Sequence, residues 1–343
     1  MKRITILTAM ILVMGLFFSC SNRNQVSMKR NVTGKLGELV VVIAPSNWEG
    51  QPGEKIREIL AQPQLGLPQE EAIFDLIKIP HEAFGDIFKT SRNLMVTNIG
   101  AGVEASEVLF KRDVHAHTQA VVYVNAKSSD ELVSLLNKNS DRIAGFFIQA
   151  ERDRLQLNYS NYNEKAVSNK TKEVFGLTLN VPPGFKVAEQ SDDFMWIRYE
   201  TPEISQGILI YSFPYDDDST FTSEYLVAKR NVVLKNNVPG PVEGSYMTTE
   251  REVPLLFNVF QRNGNYSAEM RGLWKVENDF MGGPFISLST LDLLGNRVLT
   301  LDAYVYAPGK DKLPLIRQVE AMIYSAAFIN QDEIDKINVQ FEE

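Results

Sequence analysis

The only cysteine in the 343 residues, Cys20, closes the only long apolar run of the chain, and this sets how the protein has to fold. Met1-Lys2-Arg3 gives a short basic start. Ile4 to Phe18 is almost wholly apolar, broken by Thr5, Thr8 and Gly15, which has the form of a secretory signal over residues 1–19. The run is shorter than the roughly twenty apolar residues a spanning helix needs, so a retained transmembrane helix is the less favoured alternative. An exported chain with no second cysteine forms no internal disulfide, and its fold stands on its core alone. With 44% hydrophobic and 10% aromatic residues there is material for that, most simply as two domains of ordinary size. The net charge of −8, with no lysine or arginine cluster beyond the signal and the adjoining linker, argues against nucleic acid as a partner, because phosphate contacts need a basic footprint.

From Cys20 to Lys35 the chain is polar and shows neither helical nor strand periodicity, as a flexible tether would. A first domain over 36–160 opens with Leu39-Val40-Val41-Val42-Ile43, a run that suits a strand buried on both faces. A short helix over Glu54 to Leu60 and strands over Ile73–Ile79, Asn93–Ile99, Val108–Val114 and Gln119–Asn125 follow. Ser128 with Glu131 forms a capping box and starts a helix to about Asn158, with a break expected near Asn139-Ser140. Asn158 to Lys172 is rich in Asn, Ser, Lys and Thr, and the domain boundary is placed there.

A second domain over 173–330 alternates more clearly. Pro182-Pro183-Gly184 turns a first hairpin, and Phe221, Tyr225, Ala228 and Val232 mark a helix face. Asn263-Gly264 and Gly295-Asn296 each join two strands, and Tyr266, Met270 and Trp274 alternate with polar residues. Pro314 is placed to begin a last helix with Ile316, Val319, Ile323 and Ala327 inward, before a tail over 331–343. The expected class is α+β, each domain a mostly antiparallel sheet packed with helices.

Three resemblances add to this. Leu16-Phe17-Phe18-Ser19-Cys20 resembles the lipobox of bacterial lipoproteins, with Phe17 where Leu, Val or Ile usually stands. It implies acylation of the Cys20 thiol and a membrane as partner through that lipid. The tether lacks the acidic run of surface-exported Bacteroidota lipoproteins, which points to the periplasmic face of the outer membrane. Over Phe175 to Asn330, the order of elements and the Pro-Pro-Gly-Phe entrance resemble the Mog1 and PsbP-like α/β sandwich in outline. The exported length, through Trp48-Glu49-Gly50, Leu67-Pro68-Gln69, Arg92-Asn93, Gln119 and Asn278 to Pro284, resembles a family of uncharacterised Bacteroidota lipoproteins. Glu70-Glu71 departs from the Glu-Pro that family leads one to expect, and the family brings no activity with it.

No motif nominates a catalytic residue. Gly100-Ala101-Gly102 follows a strand as in a dinucleotide loop, but a strand follows where a helix is required and no acidic residue waits for the ribose. His81-Glu82 begins like a zinc-protease helix, with Gly85 in place of the second histidine. His115 and His117, one residue apart on an expected strand, share a face with Asp113 and are the weak candidates for a metal; none is required, and no cofactor is expected. Asp216-Asp217-Asp218 precedes a helix, where carboxylates suit the dipole, and lacks the spacing of a calcium loop.

Two loops offer aromatic anchors for a partner: Trp48 directly after the first strand, and Phe280 with Met281 beside Gly282-Gly283-Pro284. The expected function is therefore a lipid-anchored, non-catalytic binding or assembly module whose partner is another envelope protein or a polymer. The alternative is an envelope hydrolase acting on glycan or peptide through a pair of carboxylates.

Overall fold

Glu38–Val42 forms an inner strand because Leu39, Val40, Val41 and Val42 alternate between two faces and each face finds a core to enter. The structure is a computed structural model and describes residues 29–329. The signal stretch, Cys20, most of the tether and the tail over 331–343 lie outside the described residues. The chain divides into Met1–Arg30, of which Lys29 and Arg30 are described and carry no regular structure, and Asn31–Glu343. Everything below belongs to the second unit, in which two sheets build a first and a second lobe.

The first lobe contains β1 (Glu38–Val42), α1 (Pro45–Trp48), α2 (Gln51–Leu60), β2 (Asp75–Ile79), α3 (Asp86–Lys89), β3 (Asn93–Ile99), β4 (Glu107–Arg112) and β5 (Ala120–Ala126). The strand order is β2-β1-β3-β5-β4. β1 pairs in parallel with β2 and β3, β3 pairs in parallel with β5, and only the edge strand β4 is antiparallel. The expected α+β class holds, but this sheet corrects the expectation that both sheets are mostly antiparallel. The reason is in the burial: Leu39, Val41 and Met95 face one core, while Val40, Val42 and Leu94 face another on the opposite side. Strands buried on both faces are the ones that parallel crossovers accommodate.

The expected strand over 108–114 stops at Arg112, because Asp113 and Thr118 adopt left-handed backbone (φ 55° and 64°) and turn the chain into β5. Polar residues noted in the sequence hold this lobe together from inside. The Asn93 amide donates to Glu151 Oε1 (2.6 Å) and Glu38 O (2.9 Å), and Gln119 Nε2 donates to Lys89 O and Ser91 O. Arg92 and Arg154 both bond Glu151. Burial pushes the Arg154 guanidinium down to about 10, against the pull of the Glu151 carboxylate, so it stays charged at neutral pH.

α4 (Ser129–Asn161) runs unbroken for about 50 Å. Ser128 Oγ accepts from Glu131 N (3.2 Å), half of the expected box; the Glu131 carboxylate reaches Lys127 N and Ser106 Oγ instead of the cap residue's own N–H. No break occurs at Asn139, whose amide bonds back to Leu135 O (2.8 Å). Leu132, Leu136, Ile143 and Phe147 enter the first lobe's core, while Leu155 and Tyr159 pack against the second. The polar stretch 158–172, where the boundary is expected, is helical: it holds the end of α4 and most of α5 (Lys165–Phe175).

The second lobe follows with β6 (Leu177–Thr178), β7 (Lys186–Gln190), β8 (Phe194–Glu200), β9 (Ser205–Pro214), α6 (Ser223–Asn237), β10 (Met247–Thr249), β11 (Leu256–Arg262), β12 (Asn265–Val276), β13 (Gly282–Asp292), β14 (Arg297–Tyr306), α7 (Leu313–Ile323) and β15 (Ala327–Phe328). Eight strands form an antiparallel sheet in the order β10-β12-β13-β14-β9-β8-β7, with β11 also paired to β12. Two hairpin turns are as read, Asn263 and Gly264 both taking positive φ, as does Asn296; Pro182-Pro183-Gly184 turns the chain but closes no hairpin, because β6 pairs with β15 and β7 with β8. Ala327 is not on the last helix, which ends at Ile323; it pairs with Thr178 in a two-strand ribbon. On α6 the inward residues are Leu226, Arg230 and Leu234, while Val232 is exposed.

The lobes are joined by polar contacts as well as by α4. Lys312, the residue before α7, supplies no cap, and Glu71 of the first lobe caps the helix by accepting from Lys312 N (2.8 Å) and Leu313 N (2.7 Å). Replacing Glu71 with Ala lowers stability by about 1 kcal/mol, as the loss of an N-cap does, with hydrogen exchange rising first at residues 312–316. Unchanged exchange there would show the cap to be dispensable.

Candidate functional site

The second sheet's face toward α6 carries aromatic side chains on every other strand: Trp274 on β12, Tyr304 and Tyr306 on β14, and Trp196 on β8. They form one wall of a cleft of about 260 Å³, closed by Met281, Met247 and the segment Val238 to Pro241 after α6. Its mouth is the hairpin over 201–205 between β8 and β9.

The wall is fixed in place. Trp196 Nε1 donates to the Tyr304 hydroxyl (3.1 Å) and Trp274 Nε1 to Val305 O (3.2 Å), so both indoles bury without an orphan N–H. Trp274 meets Tyr304 edge to face at 5.6 Å and Tyr306 at 6.2 Å. Tyr304 lies across Gly207 of β9, where an added Cβ would stand 2.2 Å from the ring, so only glycine admits this packing. Burial raises the Tyr304 phenol above its ordinary range, and it stays a neutral hydroxyl.

Charges at the mouth are paired within the protein. Arg198 lies 4.3 Å over the Trp196 ring and pairs with Glu200; Glu203 pairs with Lys310. The hydrogen bond from Lys310 holds the Glu203 carboxyl below its usual range. A glycosidase acid needs a carboxyl displaced upward, and Glu203 is displaced the other way. What the cleft presents is a rigid apolar wall with a neutralised rim.

Of the residues singled out in the sequence, Met281 lines this cleft and Phe280 beside it is completely exposed. Gly282-Gly283-Pro284 is not a turn but the start of β13, and Gly283 passes under Val305 O, where a Cβ would stand at 2.1 Å. Trp48 is elsewhere, in the first lobe. It packs against that lobe's core, with Arg57 4.7 Å over its ring and Lys78 5.7 Å away.

Asp113, His115 and His117 sit in the turn between β4 and β5, not on a strand, which corrects the shared-face expectation. Asp113 accepts from Gln119 N, His115 N donates to Gln119 Oε1, and the His115 ring meets Phe84. Among the described residues no group of three or more His, Cys, Asp or Glu is placed to hold a metal. Asp217 does cap, but it caps a 3-10 turn over Asp218–Phe221; Thr222 caps α6. Cys20 lies outside the described residues. Trp196, Tyr304 and Tyr306 had no site reading in the sequence; the signal for them is i, i+2 aromatic spacing on strands opposite a glycine.

Residues 164–325 match the family described as Domain of unknown function (DUF4837), and residues 32–160 match Domain of unknown function (DUF8532). Neither match reaches half of the chain. No curated protein matches. Among solved structures, the Ran-binding protein Mog1p of Saccharomyces cerevisiae is 10% identical over 46% of this chain and 92% of its own, with a TM-score of 0.32. A variant of the protein Mog1 gives 10% identity over 46% and 93%, at 0.30. LpqN of Mycobacterium tuberculosis, described as involved in cell envelope biogenesis, gives 13% over 44% and 82%, at 0.28. Among the described residues no helix is long and apolar enough to cross a membrane.

Proposed function

We propose that the protein is a lipid-anchored cell-envelope protein, tethered through Cys20 at the periplasmic face of the outer membrane, that binds an apolar segment of another envelope protein in the aromatic cleft without catalysing a reaction. The observation that carries the reading is the pairing of a fully exposed Phe280 with a lining Met281 at the edge of a wall of two tryptophans and two tyrosines. A wholly exposed phenylalanine next to a preformed apolar cleft is the arrangement of an interface anchor. The volume favours a protein segment as the occupant. About 260 Å³ falls below the range of roughly 300–1,000 Å³ for small-molecule pockets and suits one or two inserted side chains. The rim's charges are already paired, so the partner is selected by shape and apolar contact.

The test places a photocrosslinking residue at position 280 in intact cells and then measures the affinity of the crosslinked protein. Phe280→Ala is expected to weaken binding by tenfold or more, the loss of about 2 kcal/mol that marks an anchor, and Met281→Ala by less. In the same cells, Cys20→Ala releases the protein from membranes. Crosslinks that do not converge on one envelope protein, or an affinity indifferent to Phe280, would remove the cleft from the reading. Membrane retention of the Cys20→Ala variant would remove the anchor.

A further inference from the structure

A second crevice lies in the first lobe, at the C-terminal ends of its parallel strands. The chain leaves β1 toward β2 on one side and leaves β3 toward β4 and β5 on the other, so the connections from their C-terminal ends diverge. In open sheets with parallel strands, that divergence is where ligands bind. A crevice of about 470 Å³ is found there, lined by Asn47 after β1, His81 and Glu82 after β2, Asn98 at the end of β3, and Gly100 and Gly102 in the loop beyond.

The lining decides the chemistry of the ligand. No lysine or arginine lines the crevice, β4 rather than a helix follows the glycine loop, and the nearby first turn of α4 carries Asp130 and Glu131. A phosphate finds no lysine or arginine here, and the two carboxylates in the first turn of α4 offset the positive end of that helix. What the crevice offers is a mixed set of hydrogen-bonding groups. His81 Nε2 lies 2.6 Å from Thr97 O, an atom that only accepts, so Nε2 donates there and Nδ1 is the ring nitrogen left for a ligand. Asn98 Nδ2 donates to Asn125 Oδ1 (2.8 Å), leaving its own Oδ1 to accept. Asn47 Oδ1 accepts from Ser129 Oγ (3.0 Å), leaving its Nδ2 to donate. Glu82 adds an exposed carboxylate. One donor among several acceptors, with no cation, matches a ligand whose groups both give and take hydrogen bonds, and the volume falls within the small-molecule range.

We infer that this crevice is a second binding site, separate from the aromatic cleft, for a neutral hydroxyl-rich ligand of the sugar class. The test is a nuclear magnetic resonance titration of the isotope-labelled full chain with maltose and with chitobiose, and with a phosphorylated hexose as the charged comparison. Either neutral sugar is expected to shift the side-chain amide signals of Asn47 and Asn98 saturably at millimolar concentration. Gly102 lines the crevice and a Cβ added there meets nothing within 4 Å, so Gly102→Trp adds bulk at the lining and is expected to weaken the sugar at least about tenfold. Circular dichroism confirms that the variant folds, and Phe280→Ala leaves the sugar affinity unchanged. No saturable shift with either sugar, tighter binding of the phosphorylated hexose, or full affinity in Gly102→Trp would each overturn the assignment.

Discussion

Arg230→Ala lowers the unfolding free energy by about 3–5 kcal/mol, the largest loss expected from a single side chain in this protein. Arg230 stands on α6 and is wholly buried, as is Asp302 of β14. Its Nε donates to Asp302 Oδ2 (2.7 Å), Nη2 to Asp302 Oδ1 (3.1 Å) and Nη1 to Thr249 Oγ1 (2.8 Å). The guanidinium lies 3.7 Å over the Phe285 ring. Removing the arginine strands an ionised carboxylate inside the sheet's apolar face, next to a Tyr211 phenol whose pKa is already pushed up by burial and by Asp302. Asp302→Ala strands the cation instead, at a similar cost. The double change Arg230→Met with Asp302→Leu recovers most of the loss, because neither charge is then left alone. Urea unfolding of the four proteins compares their stabilities; a single variant costing less than about 1 kcal/mol would show that the pair is dispensable.

Acid loosens the protein at a second point, where α4, β12 and α7 meet. Glu320 is bonded by Arg152 and by Arg271 Nη2 (2.7 Å). Burial alone would raise its pKa, but the two guanidinium groups outweigh burial and hold the carboxyl down at about 2. The folded value is below the unfolded one near 4.5, so this contribution is fully present above pH 4.5 and is lost as pH falls toward 2. Its size is on the order of 3 kcal/mol. Glu320→Gln is expected to flatten the pH dependence of the melting temperature across that window and to lower stability at neutral pH, where it leaves Arg271 and Arg152 short of a counter-charge. An unaltered acid profile in Glu320→Gln would assign the acid lability to other carboxylates.

Both predictions rest on contacts that the sequence does not display. Arg230 sits at the position of α6 where periodicity asks for an apolar side chain, so counting apolar residues put the inward face on Val232 instead. Its partner is 72 residues away. Local chemistry was legible: the Ser128 cap, the Asn263-Gly264 turn and the alternation of β12 need only neighbouring residues. The doubly buried character of β1 was legible too, but not that its partners run parallel, since pairing direction depends on where the crossovers return. The cleft follows the same division. Phe280 and Met281 stood out as apolar residues in a polar connection, while the wall behind Met281 comes from strands far apart in sequence and joined only by sheet order.

The shared helix α4 bears on how the chain acquires its structure. A chain that emerges from its N-terminus onward presents the first lobe and all of α4 well before α7, which completes the second core with Ile316, Val319 and Ile323. Until then Leu155 and Tyr159 have no core to enter, and Arg152 waits for a carboxylate 168 residues downstream. Closure of such distant contacts is slow compared with local helix formation. Folding is thus expected to pass through a stage in which the first lobe is formed and the far end of α4 stands bare, open to a chaperone or to another copy of the chain.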